Sequence, residues 1–216
     1  MNVELSKRIA MLYEYYDEII KPMLVNVESK YENHPLTLFN EIRAFNDHIA
    51  RCYRKNVNNE YRSDQIKKAE IHLDRLLLDL YKFLNVYYYD KVEKFEHQCK
   101  NIDLTTINSG EFYIKFRQLR KNAVNTIREA KLFETIDKPN ALGKYQDASN
   151  ILEELDTLIE NNMSDVNWAR VRFTLNRFGK LILWLIAAII SGIVSVLTGF
   201  VPYEKIITIL SALFNR

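Results

Sequence analysis

Residues 181–201 read LILWLIAAIISGIVSVLTGFV, a stretch of 21 residues without a charge. Pro202 and Tyr203 extend the uncharged run to position 203. At a helical rise of ~1.5 Å per residue, such a stretch covers ~30 Å, the thickness of the hydrocarbon core of a bilayer. Soluble helices seldom stay apolar on every face for this length. The stretch therefore predicts one transmembrane helix, over residues 181–202.

The two flanks of this helix carry unequal charge. Four basic residues and no acid lie between positions 166 and 180, namely Arg170, Arg172, Arg177 and Lys180, against Lys205 and Arg216 beyond the span. Cytoplasmic flanks of membrane helices are enriched in Lys and Arg, so the N-terminal side is predicted to be cytoplasmic. Residues 166–180 are typical of a basic amphipathic helix at an anionic lipid surface. Residues 203–216 form a short apolar tail.

Small residues line one face of the predicted membrane helix. They are Ala188, Ser191, Gly192, Ser195 and Gly199. Stripes of this kind let membrane helices approach closely, which predicts packing against a second copy, or the lining of a pore. The span holds no ionisable residue, which argues against a proton relay or an ion-coupled transporter.

The first 165 residues predict an all-α domain, since Gly and Pro are scarce and apolar residues recur every three or four positions. Five helices are expected, the first over 3–32 with a bend at Pro22 and the second after Pro35. The third is expected to start at an N-cap, Ser63, and to run toward Phe95. The last two are those over 111–133 and after Asp137. The predicted fold is a five-helix bundle over residues 1–165 with a single C-terminal transmembrane helix.

Charge and cysteine usage exclude several functional classes. With 30 basic and 28 acidic residues in the chain, residues 1–165 hold 24 basic and 27 acidic ones, a net charge of −3. Such a domain has no global attraction for nucleic acid, so no DNA partner is expected, although a local basic patch remains open. Cys52 and Cys99 have neither disulfide nor zinc-site spacing, and no metal or cofactor is predicted. Both are expected to be buried thiols.

The second predicted helix carries RAFNDH, from Arg43 through Asn46 and Asp47 to His48. This R-x-x-x-x-H spacing resembles that of HEPN domains, in which the Arg and His of two protomers cleave RNA without a metal. A small HEPN-like helical bundle with a membrane segment also resembles the accessory membrane proteins of type VI-B CRISPR systems. That resemblance implies a location in the bacterial inner membrane, a role in antiviral defence, oligomeric pores that depolarise the membrane, and an RNA-guided RNase or its RNA products as partners.

Two features favour a non-catalytic form of the motif. Ala44 stands where active motifs usually carry a polar residue, and the domain is acidic. Helical angles place Arg43 on the solvent side, where Asp47 can pair with it, and His48 at the edge of the buried stripe. His72 and Arg75 of the third predicted helix could approach the second in a bundle, but both are expected on the surface. The preferred hypothesis is a non-enzymatic, oligomeric effector that permeabilises the membrane; the alternatives are a tethered helical adaptor and an anchored HEPN ribonuclease.

Overall fold

The computed structural model of the chain describes residues 2–31, 35–200 and 204. Its helices are α1 (Val3–Tyr15), α2 (Lys21–Glu28), α3 (Leu36–Cys52), α4 (Asn59–Gln98), α5 (Glu111–Phe133), α6 (Lys138–Asn161) and α7 (Met163–Phe200). All regular secondary structure in these residues is helical, which confirms the all-α class and the long apolar C-terminal helix. If α1 and α2 are taken as one interrupted helix, the described part holds six helices, and the five-helix HEPN-like bundle stays a prediction.

A π-helical turn, Tyr16–Ile20, joins α1 to α2. The proline ring at position 22 removes the N–H that a regular helix would use at this point, and the backbone widens just before it, with the Lys21 N–H bonded to the carbonyl of Tyr16. The irregularity predicted at Pro22 is therefore this turn. The helix ends at Glu28, before the predicted end at position 32.

Helix α4 is 40 residues long and begins earlier than predicted. The side chain of Asn58, not that of Ser63, caps its N-terminus by accepting a hydrogen bond from the Tyr61 N–H at 2.8 Å. The predicted cap at Ser63 is wrong, because the first helical turn is polar and leaves no apolar mark in the sequence. At ~1.5 Å per residue, α4 is ~60 Å long and runs through the entire bundle.

Helix α4 contributes to three hydrophobic clusters in the described residues: an N-terminal core, a C-terminal core and, between them along α4, a small central cluster of Tyr88, Ala123 and Leu152. The N-terminal core joins α1, α2 and α3 to the first part of α4 through residues such as Phe45 and Leu76. The C-terminal core joins the end of α4 to α5, α6 and the start of α7 through residues such as Phe95 and Phe112. Between them lies the buried Asn85, whose Nδ2 donates a hydrogen bond to the Tyr145 carbonyl at 3.0 Å.

The α5–α6 hairpin agrees closely with the sequence. Helix α5 has the predicted bounds and follows Gly110, whose φ of 94° is readily adopted only by glycine. Asp137 caps α6, as predicted, by accepting a hydrogen bond from the Asn140 N–H at 3.2 Å. Cys52 and Cys99 are buried, as expected, and burial raises the pKa of both thiols.

Helix α7 leaves the bundle shortly after it begins. Its first residues pack into the C-terminal core, where Val166 is fully buried and Ala169 partly so. From Arg170 to Val196 no residue of α7 is buried. The helix continues without interruption through the predicted boundaries at 165/166 and 180/181. Apart from Glu204, the predicted tail at 203–216 lies outside the described residues, as do positions 201 and 202 of the predicted span.

Candidate functional site

The described part of α7 beyond the bundle exposes a continuous apolar surface. It has the length and composition of a membrane span, with a mean hydropathy of 2.2 in its most apolar stretch. Leu183 and Trp184 are 67% and 69% exposed, values typical of side chains that touch nothing else in the monomer. Soluble monomers rarely leave so much contiguous apolar surface in water, so this segment is a candidate site for lipid or for other membrane helices.

The small residues predicted to pack in the membrane share one face of α7. At 3.6 residues per turn, Ala188, Ser191, Gly192, Ser195 and Gly199 fall within an arc of ~100°. A Cβ atom added at Gly192 or Gly199 would meet no described atom within 4 Å. No described residue therefore fills the space next to these two glycines.

The basic residues predicted at the membrane surface, Arg170, Arg172, Arg177 and Lys180, are exposed on the first half of α7. Arg170 Nη1 donates to Asn167 Oδ1 at 3.3 Å, and its charge acts on the buried Cys99 thiol, whose pKa it tends to lower against the larger effect of burial. The cationic segment therefore begins where α7 leaves the C-terminal core.

The fold does not bring the two ends of the RAFNDH motif together within one chain. Arg43 is exposed, and the ion pair expected with Asp47 does not form among the described residues. Asn46 lies on the same exposed side, where it accepts a hydrogen bond from the Tyr13 hydroxyl at 3.3 Å. His48 instead turns toward α4 and is half-buried. The predicted orientations of Arg43 and His48 thus agree with the structure, but the proposed pairing of Arg43 does not.

His48 meets a second histidine, His72 of α4, which sequence analysis placed on the surface. The two imidazole rings stack with their centroids 5.2 Å apart and their planes 19° from parallel. His48 Nδ1 is 2.8 Å from Gln65 Oε1, and His72 Nδ1 is 2.6 Å from Glu41 Oε2. The surface assignment of His72 is therefore wrong, because the antiparallel packing of α3 on α4 carries its ring into the interface.

The hydrogen-bond partners of the two imidazoles favour the tautomer that carries its proton on Nδ1. Gln65 Nε2 donates to Asp64 at 3.2 Å, so its Oε1 is the acceptor for the Nδ1 proton of His48. Glu41 likewise accepts from Nδ1 of His72. In the neutral form of each ring, Nε2 then holds a lone pair that can accept a proton.

These two nitrogens make a poor metal site. Nearly parallel stacked rings keep their in-plane lone pairs in two almost parallel planes, whereas a tetrahedral metal needs ligands that converge on one point. Within the described ranges, no group of three or more His, Cys, Asp or Glu side chains has an arrangement that could hold a metal ion. The cluster is better suited to proton transfer than to metal binding.

Glu41 and Gln65 were not predicted as partners of the two histidines. One signal was present, because Glu41 precedes His48 by seven residues on α3 and Gln65 precedes His72 by seven on α4. Residues seven apart share one face of a helix. Two such pairs on consecutive antiparallel helices come into contact when both pairs lie at the same height along the helix axes. That alignment along the axes depends on the loop between α3 and α4.

Comparison of the chain with protein-family profiles, curated proteins and solved structures finds no match in any of the three.

Proposed function

We propose that the protein is a membrane-anchored helical effector that assembles through α7 within the bilayer and permeabilises it. The observation that carries this proposal is the exposed apolar helix that leaves the bundle after Ala169. Its described residues from Leu181 to Phe200 would span ~30 Å, which matches a bilayer core.

The charges near α7 support one orientation in the membrane. The four cations between Arg170 and Lys180 precede the apolar part and would lie at the anionic cytoplasmic surface. The bundle would then be cytoplasmic, and the continuous helix would transmit any movement of the bundle directly to the span, since no loop separates them.

Self-association is supported by the face of α7 that holds Gly192 and Gly199. Two helices that present small residues can bring their backbones close together, and van der Waals packing then stabilises the pair. The bulkier Ile186, Ile190 and Ile193 lie on the opposite face, toward lipid or an enclosed pathway. In an assembly of several copies, the C-terminal core would hold the helices at a fixed spacing.

The proposed setting is antiviral defence next to an RNA-guided RNase in bacteria. It is supported by the likeness of RAFNDH and of the bundle-plus-anchor layout to the HEPN-like accessory proteins of type VI-B CRISPR systems. In this setting the effector is non-enzymatic, with membrane lipid, other copies of the chain, and the RNase or its RNA products as partners.

A pair of α7 variants tests the proposal. Gly192→Leu would fill the small face, whereas Ile190→Phe adds bulk on the other side. In blue-native electrophoresis of the full chain extracted in mild detergent, we expect oligomers for the native protein and for Ile190→Phe, and monomer for Gly192→Leu. In expressing cells, a membrane-potential dye should report depolarisation by the first two only.

Two outcomes would contradict the proposal in different ways. If the native protein is strictly monomeric and leaves the membrane potential unchanged, the proposal that it forms a pore is wrong. If replacement of residues 181–201 by an unrelated apolar helix preserves activity, α7 is only an anchor, and the chain is a tethered adaptor.

The paired imidazoles favour a second candidate function, cleavage of RNA. One neutral imidazole could take the proton from a ribose 2′-hydroxyl at Nε2 while the 2′-oxygen attacks phosphorus and the bond from phosphorus to the 5′-oxygen breaks. The other imidazole, protonated at Nε2 beforehand, could give that proton to the departing 5′-oxygen. Arg43 of a second protomer could then stabilise the phosphate, as HEPN-type chemistry requires. If the purified chain cleaves RNA, His48→Ala and His72→Ala should each abolish cleavage, with Arg75→Ala as a control that keeps it.

A further inference from the structure

Helix α5 is basic, although residues 1–165 are acidic overall. It carries six Lys and Arg residues against two Glu. Two of the six are paired within the bundle, since Lys115 Nζ lies 2.9 Å from Glu154 and Arg120 Nη2 lies 2.7 Å from Glu96. The remaining four are candidates for contact with another molecule.

These four cations, Arg117, Lys121, Arg128 and Lys131, form what we call the α5 basic stripe. At 3.6 residues per turn their positions fall within an arc of ~80°, and the stripe is ~21 Å long. All four are exposed, and none forms an ion pair with another residue in the described part of the chain. Four aligned cations create a local positive potential, although Lys131 lies close enough to Glu134 for its charge to help the Lys82 hydrogen bond lower the pKa of that carboxyl.

The stripe lies along concave surfaces. Arg128 and Lys131 line a groove of about 900 Å³ between α4 and α5, whose walls include Val86, Val124 and Tyr89. Arg117 and Lys121 line a second groove of about 540 Å³, which shares Val124 with the first. Arg117 also borders a third groove of about 350 Å³, next to Tyr113. Cations, aliphatic side chains and tyrosine rings therefore line the grooves beside the stripe, and the third groove also contains the acids Glu96 and Asp103.

At the floor of the 900 Å³ groove, the charges of Lys82 and Glu134 balance each other. Lys82 Nζ bonds to Glu134 Oε1, and the Tyr145 hydroxyl donates to Glu134 Oε2 at 3.1 Å. Lys82 also lies over the Tyr145 ring, 5.6 Å from its centroid. Asp90 is the remaining acid of the lining, so Arg128 and Lys131 leave the groove with a net positive charge.

We propose that the α5 basic stripe binds a short segment of single-stranded nucleic acid. Phosphates would contact the four cations, and bases would enter the grooves against the aliphatic walls and the rings of Tyr89 and Tyr113. A flat bilayer would reach only the tips of cations that line grooves. An acidic peptide would use the cations but not the tyrosine faces. RNA and single-stranded DNA share the chemistry involved, and the proposal does not depend on the membrane function.

Binding of labelled oligonucleotides tests this assignment. Full-length protein in an uncharged detergent would be titrated into fluorescein-labelled twelve-residue oligouridylate and, separately, oligothymidylate, with anisotropy read at 50 and 200 mM salt. Four phosphate contacts predict that log K falls with log salt at a slope of about −3, since each contact on a single strand contributes about −0.7. The two oligomers together show whether the sugar matters.

The charge-reversal variant Arg128→Glu/Lys131→Glu should weaken binding more than tenfold and bring the slope to about −1.4, because two contacts remain. Its matched control is Lys7→Glu/Lys67→Glu, which changes net charge equally. Both lysines are exposed, lie outside the stripe and form no ion pair with a described residue. We expect less than a threefold loss for the control. Circular dichroism of both variants would verify that the helices are intact.

Three results would overturn the proposal. The first is no binding of either oligonucleotide by the native protein at 50 mM salt. The second is equal weakening in the stripe variant and the control, which would indicate net charge alone. The third is displacement of the strand by polyglutamate or by phosphatidylglycerol vesicles as efficiently as by unlabelled oligonucleotide at equal charge, which would assign the stripe to an acidic protein or to the membrane.

Discussion

Individual side chains connect α4 to the α5–α6 hairpin through polar contacts between residues distant in sequence. Lys91 Nζ lies 2.6 Å from Asp156 and 3.2 Å from Glu160, and Lys82 bonds to Glu134. The carboxylate of Glu134 also accepts from the Tyr145 hydroxyl. The Glu134 carboxylate attracts Lys82 only in its charged form, so the stabilisation that this contact gives the fold depends on pH.

The pH dependence of stability should change in a Glu134→Gln variant. The Lys82 hydrogen bond, with further help from the Lys82 charge and from Tyr145, holds the pKa of Glu134 below its ordinary value of 4.5. A lowered pKa means that the stabilisation is complete above pH 4.5 and is lost as the pH falls through the folded-state value. In thermal unfolding followed by circular dichroism, we expect the native protein to exceed Glu134→Gln in Tm at pH 6. The difference should shrink below about pH 4.

Glu14→Gln is the control for this experiment, since Glu14 is exposed and makes no ion pair with a described residue. Its effect on Tm should be small at every pH. A constant Tm difference between the native protein and Glu134→Gln from pH 6 to pH 3 would contradict the role assigned to the Lys82–Glu134 bond.

Residue-level contacts were only partly predictable from the sequence. The apolar period identifies Phe45 and Ile49 as buried because each helix must cover one face, and both are buried. The same period cannot assign a partner to His48 or His72, since the partner lies on another helix. Their stacking depends on how α3 and α4 align, which the sequence of either helix alone does not determine.

At the scale of elements, helix starts depend on single capping side chains. Asn58 accepts from the Tyr61 N–H at 2.8 Å, while Ser63 lies within the first turns of α4 and accepts only a 3.3 Å bond from Arg8. Both residue types are good caps, so residue type alone does not settle the choice between Asn58 and Ser63. Arg62 resolves it in the fold, because its Nε bonds to the Cys52 carbonyl and holds the polar first turn in place.

Replacing each of these residues by alanine should separate their roles. Asn58→Ala removes the cap and is expected to lower the free energy of unfolding by about 1 kcal/mol. Ser63→Ala should cost less than half of that, since a helix interior favours alanine and the lost bond is long. Urea unfolding monitored by circular dichroism measures both. A larger loss for Ser63→Ala than for Asn58→Ala would contradict the assignment of the cap.

Other element boundaries were predictable because their signals do not compete. Gly110 precedes α5 and is the only glycine in the first 140 residues, and Asp137 with Pro139 marks the start of α6. The apolar run in α7 gives an equally clear signal, because helices of soluble proteins seldom stay apolar on every face over such a length. The sequence did not show that the basic segment and this apolar run form one helix. Composition changes from basic to uncharged at Leu181, but no proline marks that point.

At the scale of the molecule, one long helix passes through the N-terminal core, the central cluster and the C-terminal core. Along α4, the buried polar residue Asn85 and the central cluster of Tyr88, Ala123 and Leu152 separate the two larger cores. Sequence periodicity predicted one bundle because it shows which face of α4 is buried but not which neighbours cover it. The arrangement implies that the two ends of the bundle can respond separately, with α7 attached to the C-terminal core only.

Hydrogen–deuterium exchange of two matched variants should reveal this division. Phe45→Leu and Phe112→Leu each remove part of a buried ring, one from each core, and the small cavities destabilise the surrounding packing without unfolding the chain. We expect Phe45→Leu to speed exchange in α1, α2, α3 and the first half of α4. Phe112→Leu should do so in α5, in the second half of α6 and at the end of α4. An equal increase across all of these helices in both variants would show a single cooperative unit, and the C-terminal core would then be unable to signal to α7 independently of the N-terminal core.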